Sequence, residues 1–111
     1  MTKEQLRNYR NIKKEYRQIE QRLRQLEDRP EREEEVLQPL REFYTEKLKE
    51  LVEAQLCIEK AIEILKPVER DLIRYRYIDG LPWHHIAVKI AYSEQQTHRI
   101  HSHTLQKLKK I

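Results

Sequence analysis

Apolar side chains recur along the first third of this chain at Tyr9, Ile12, Tyr16, Ile19, Leu23 and Leu26, in steps of 3, 4, 3, 4 and 3. That spacing sets them in one line down an α-helix, whereas on a β-strand it would scatter them over both faces. The positions between them are nearly all Lys, Arg, Glu, Gln or Asn, with Glu20 and Arg24 at the favourable i, i+4 spacing. A second run, Leu40, Tyr44, Leu48, Leu51, Gln55, Ile58, Ile62 and Leu65, again alternates near 3 and 4. One glycine, four prolines and 38% charged residues in 111 complete the picture of an all-α chain.

Both runs have the seam of a coiled coil. Between them residues 27–36, EDRPEREEEV, are charged and include Pro30, which removes a backbone donor and clashes with the preceding turn, so a loop or helix break is expected there. Glu33, Glu34 and Glu35 are expected just ahead of the second helix, where they favour its positive end. Two long helices with a short polar connection fold back most simply as an antiparallel hairpin. Residues 1–66 are therefore expected to form a coiled-coil-like helical hairpin for oligomerisation, and residues 67–111 a separate module of three helices. A two-helix hairpin leaves its seams half covered. The C-terminal module docking back or a second copy of the chain could cover them, and the second gives a homodimer through the coiled-coil segment. Tyr9, Tyr16 and Gln55 in the seams suit an interface that selects one register.

The two parts also differ in charge. Residues 1–66 hold 15 basic and 15 acidic side chains, whereas residues 67–111 hold 8 and 4, which is the whole net charge of +4. All five histidines, His84, His85, His98, His101 and His103, fall in the second part. A basic excess on a small helical module is the electrostatic footprint of a protein that meets phosphate.

Punctuation within 67–111 divides it into three helices. Pro67 suits a first helical turn, where its missing N–H has no partner to lose. Leu72, Ile73 and Tyr77 give that helix an apolar face, and Asp79-Gly80 ends it, because glycine accepts the left-handed cap. Pro82 starts the next helix, with Trp83, Ile86, Ala87 and Ile90 inward and Ala87 small enough for a close helix crossing. Ser93 caps the last helix, and Ser93 with Gln96 three residues on has the form of a capping box. Thr97, Ile100 or His101, Thr104, Leu105 and Leu108 are expected inward, leaving Gln95, Gln96, His98, Arg99, Ser102 and His103 on or near the outer face. A helix-turn-helix of this kind presents its last helix to a DNA major groove. Gln pairs with adenine and Arg with guanine through two hydrogen bonds each, so Gln95, Gln96 and Arg99, near the helix start, are the candidate base contacts. Lys89, Ser93, Ser102, Lys107 and Lys109, with His98 and His103, are the candidates for the backbone.

Glu69-Arg70, Arg76-Tyr77, the Gly80-Leu81 stop, Ile86-Ala87, Ser93 and the closing LQKLKK (105–110) resemble the promoter-reading region four of bacterial sigma factors. With its helical N-terminal part, the whole chain resembles the small phage and prophage transcriptional regulators of the RinA and ArpU kind found in Gram-positive bacteria. The resemblance implies a cytoplasmic, sequence-specific DNA-binding protein that activates phage late genes. Ala91 stands where a glycine is usual between the helices, and Thr97 where an aliphatic core residue is usual. The other sigma regions are missing, so the chain is not a complete sigma factor. Two other functions fit the same residues: a phage DNA-packaging protein like a terminase small subunit, and an adaptor that binds RNA polymerase.

Other chemistry is not expected. His98 and His101 share a helix face but His103 points elsewhere, and no Cys or carboxylate completes a tetrahedron, so neither a metal nor another cofactor is expected. The histidines could instead add positive charge to the DNA face below their ordinary pKa of about 6.5. There is no phosphate-cradling glycine loop, no nucleophile beside a base and no paired carboxylates in a pocket, so the chain does not read as an enzyme. No stretch approaches the roughly 18 apolar residues of a membrane span, and MTKEQLRNYR has no apolar core of a signal peptide. Cys57 is alone and reads as a packing residue, which suits a reducing, cytoplasmic compartment.

Overall fold

The computed structural model describes residues 1–29 and 34–111. Among these residues there are helices and no strand: α1 (Lys3–Arg7), α2 (Tyr9–Glu27), α3 (Glu34–Glu63), α4 (Pro67–Ile73), a π-helical turn (Arg74–Ile78), α5 (Trp83–Ile90) and α6 (Glu94–Lys109). None is long and apolar enough to cross a membrane. Pro30, on which the expected break rested, and Glu33, expected just ahead of the second helix, lie outside the described residues. Glu34 and Glu35 are in the first turn of α3 rather than ahead of it. They meet the positive helix end there all the same. Pro39 lies inside α3, on its exposed side, where water can satisfy the carbonyl that loses its donor.

Two compact units result, Asn11–Leu56 and a second one made of Met1–Arg10 with Cys57–Ile111. They do not divide at 66/67, and the first ten residues go with the C-terminal segment. In the unit Asn11–Leu56, Ile12, Ile19 and Leu26 of α2 and Leu37 and Leu51 of α3 are buried. Leu37 takes the inward position at the start of α3 in place of Leu40, which is exposed. The Arg41 guanidinium donates to the Leu26 carbonyl at 3.1 Å and pairs with Glu34, so a cation meets the negative end of α2.

The second unit begins with a helix start that local side-chain chemistry fixes. Thr2 and Gln5 form a capping box, with the Gln5 N–H donating to the Thr2 hydroxyl at 3.3 Å and the Thr2 N–H to the Gln5 side chain at 2.8 Å. This sets α1 so that Leu6 is fully buried and Tyr9 nearly so, with the Tyr9 hydroxyl on Glu59 of α3. The Met1 nitrogen donates to the Leu108 carbonyl near the end of α6. Arg74 of the π-helical turn reaches Glu59 at 2.9 Å and Glu63 at 3.0 Å, tying that turn to the last turns of α3. Leu72, Ile73, Tyr77, Ile86, Ala87 and Leu108 are buried around this junction, and α4, α5 and α6 pack on one another. Cys57 is exposed and is not a packing residue.

Two left-handed residues punctuate the C-terminal helices, and they are occupied differently. Gly80, φ +69°, follows the π-helical turn. Ala91, φ 62° and ψ 39°, ends α5, with the Tyr92 N–H returning to the Ala87 carbonyl at 3.1 Å. An L-residue with a Cβ pays about 1–2 kcal/mol for this conformation, part of which glycine gives back through its freer unfolded chain. Ala91→Gly is thus expected to raise stability by about 1 kcal/mol and Gly80→Ala to lower it by about as much. Urea unfolding of both variants checks the pair, and a stabilising Gly80→Ala would contradict it.

Candidate nucleic-acid interface

The inner face of α6 is polar, which the sequence pattern only partly showed. Thr97, His101, Thr104 and Leu108 are its buried residues, in steps of 4, 3 and 4. Each polar member has a partner. The Thr97 hydroxyl donates to the Ser93 carbonyl at 2.8 Å and the Thr104 hydroxyl to that of Ile100 at 2.7 Å. A threonine can therefore stand at an aliphatic position without leaving a buried hydroxyl unsatisfied, at a cost that would be about 1–3 kcal/mol. Ile100 is only half-buried, so His101 is the inward residue of that pair.

His101 packs between two aromatic rings of the same unit. Its Nε2 lies 2.7 Å from the Tyr77 hydroxyl, and the Trp83 ring meets it edge-on at 4.6 Å between centroids. Burial, then the charges of Lys3, His98, Arg76 and Arg7, push its pKa down to about 4. Burial likewise raises the Tyr77 hydroxyl above its ordinary value, against the pull of Arg7 and Arg76. A protonated phenol donating to a neutral imidazole satisfies both groups. His101 is thus a core residue, and the expectation that it adds charge to a DNA face does not apply to it.

Glu69 is the second buried polar group, 4% exposed. The Lys107 ammonium donates to it at 2.9 and 3.0 Å, the Lys66 N–H at 3.1 Å, and the Thr104 hydroxyl lies 3.4 Å away. Desolvation raises the carboxyl pKa, but the hydrogen bonds from Lys107 and Lys66 and their charges outweigh it and hold it below the ordinary value. Lys107, expected on the DNA backbone, is therefore the counter-ion of Glu69 and joins α6 to α4. A sequence signal for this existed: Glu69 stands three and four residues before Leu72 and Ile73, on their side of the helix.

The opposite face of α6 is open. Gln95, Arg99, Ser102, Gln106 and Lys109 are exposed and run in steps of 4, 3, 4 and 3, one stripe along the helix. His98 and, on the other flank, Gln96 and His103 are exposed beside it. Gln106 was not among the residues expected to serve the interface. Ser93 caps the helix as expected, its hydroxyl accepting from the Gln96 N–H at 3.1 Å. The returning bonds from the Ser93 N–H and the Ser93 hydroxyl to Gln96 Oε1, both at 3.2 Å, take up the two lone pairs of the oxygen that a two-bond adenine contact needs. Gln96 can thus donate through its Nε2 while the cap holds, and Gln95 is the glutamine with both amide groups free of the cap. His98 rests on the Trp83 ring at 4.6 Å, and Lys89 of α5, exposed, lies over the Tyr75 ring at 5.3 Å.

Residues 1–110 match the family model described as Protein of unknown function (DUF722), and the chain belongs to that family. No curated protein and no solved structure matches it.

Two measurements check this polar inner face. His101 lowers stability as pH falls, because the unfolded imidazole takes a proton near pH 6.5 while the folded one resists it until about 4. Stability should be free of this cost above pH 6.5 and lose roughly 3 kcal/mol to it by pH 4. In a proton NMR titration the His101 ring should show no midpoint above pH 5, and a midpoint near 6.5 would contradict its burial. Lys107→Met, which leaves Glu69 buried without its cation, should cost about 2 kcal/mol in urea unfolding at pH 7. A neutral substitution would show that Glu69 does not depend on Lys107.

Proposed function

We propose that this chain is a sequence-specific DNA-binding transcriptional regulator, of the kind that activates phage late genes. On this reading α5, residues 91–93 and α6 form a helix-turn-helix, and α6 enters the major groove. One observation carries it: an exposed stripe of Gln, Arg, Ser and Lys runs the length of a capped sixteen-residue helix whose other side is buried. Gln95 and Arg99 stand near its start, where a recognition helix reaches base edges. Lys89, Ser102, His103 and Lys109 flank them in positions suited to phosphates, and His98 is held at the rim by Trp83. Lys107 is given a structural role and Gln96 a capping one.

The unit Asn11–Leu56 supplies the means of dimerisation in this reading. Val36 and Phe43 of α3 are 78% and 62% exposed, and with Leu40 between them they form an apolar stripe in steps of 4 and 3. A second copy of the chain covers such a stripe in the way a coiled-coil partner does. Two readers held by one dimer then meet two half-sites.

Arg99→Ala should relax the preference among duplexes, reducing discrimination by about 1–3 kcal/mol at one base position, while Lys89→Ala weakens binding to all duplexes alike. Fluorescence anisotropy over a panel of duplexes at fixed salt measures both. If neither substitution changes affinity for any duplex, α6 is not the reading helix. Phe43→Glu should convert the dimer to a monomer in sedimentation equilibrium, and an unchanged mass would move the dimer interface elsewhere.

A further inference from the structure

We propose that the concavity lined by Lys3, Arg7, Arg10, Arg76, Tyr77, Gly80 and Trp83 is a binding site for a phosphate group. Its volume is about 370 Å³, and its lining holds four cations and no carboxylate. Among the described residues Lys3, Arg7 and Arg10 form no ion pair, in contrast to Arg70 and Arg74 of the same unit, which are matched to Glu63 and Glu59. Like charges brought together without a counter-charge repel, and an anion entering between them removes that cost.

Two of the four cations have contacts that position them. The Arg76 guanidinium lies over the Trp83 ring, 4.6 Å from its centroid, and donates to the Leu81 carbonyl at 3.0 Å, which leaves its remaining N–H groups for a ligand. The Arg10 guanidinium lies against Gly80, where a Cβ would stand 2.5 Å from its Nη1. The glycine is required by its positive φ, and it leaves the Arg10 guanidinium room to lie over the turn. Arg7 lies one turn from Lys3 on α1, and both line the same concavity as Arg10 and Arg76. Three guanidinium forks and an ammonium suit the several oxygens of a phosphate, and the volume leaves room for the group esterified to it.

Such a phosphate has two sources, the backbone of a DNA duplex or a soluble phosphorylated molecule. Trp83 touches both this site and His98 of α6, so a duplex read by α6 has a backbone near it. That source rests on the DNA-binding reading, and the soluble one does not.

The test compares the intact chain with Arg7→Gln/Arg10→Gln, both positions exposed, and with a control of equal charge change, Lys14→Gln/Arg17→Gln, on exposed positions of α2. Lys3→Gln serves in their place if circular dichroism shows the pocket variant unfolded. One measurement is the thermal midpoint in sodium pyrophosphate against sodium chloride of equal ionic strength. The other is the salt dependence of affinity for a random-sequence 20-base-pair duplex. A soluble source is expected to raise the midpoint of the intact chain and the control, with that rise lost in the pocket variant. A DNA source is expected to lower the slope of log affinity against log salt by about 2 in the pocket variant relative to the control. Pocket and control variants that behave alike in both measurements overturn the site. If no duplex binds but the pyrophosphate effect needs Arg7 and Arg10, the phosphate site stands and the DNA-binding reading fails. If duplex binds with equal slopes and pyrophosphate does nothing, the DNA-binding reading stands and the phosphate site fails.

Discussion

The ion pair between Glu69 and Lys107 is the contact on which the C-terminal helices depend. A carboxylate 4% exposed survives only if its charge is met, and Lys107 of α6, the backbone of Lys66 and the nearby Thr104 meet it together. Because α6 buries Thr97, His101 and Thr104 against a single fully apolar partner of its own, Leu108, its attachment comes less from apolar area than from satisfied polar groups. Polar partners of this kind fix direction as well as distance. Such an attachment holds the rotation of α6 about its axis, and so decides which of its side chains face outward.

That rotation is what gives the outer stripe its meaning. With Thr97, His101 and Thr104 inward, Gln95, Arg99, Ser102, Gln106 and Lys109 line up outward, and a helix turned by one residue would split them. The division of labour on α6 follows from the same geometry. Lys107 is spent on Glu69 and Gln96 partly on the Ser93 cap, which concentrates the proposed base reading on Gln95 and Arg99.

Much of this was legible in the residues. The 3 and 4 spacing gave the helical class, Pro67 and Gly80 marked the bounds of the first C-terminal segment, and Ser93 with Gln96 gave the start of α6, because each is a local signal set by backbone chemistry. The seam also pointed to Leu51, Ile58, Ile62 and Leu65, all of them buried. What could not be read depended on partners distant in sequence. His101 looks like any helical histidine until Tyr77, twenty-four residues away, is beside it. The first ten residues were expected in the helical hairpin of residues 1–66, and their place with Cys57–Ile111 rests on Leu6, on Tyr9 meeting Glu59 and on Met1 meeting Leu108. Leu40 was misassigned for a simpler reason: α3 begins earlier than its seam suggested, and Leu37 is the residue that points inward.

Selection of bound duplexes from a random pool by the intact chain decides whether α6 reads base sequence, as proposed. The expected result is enrichment of one recurrent motif, present as two related half-sites spaced by about one helical turn of DNA or a multiple of it. A pool that returns unenriched after repeated selection, or a chain that retains no duplex at low salt, would contradict it.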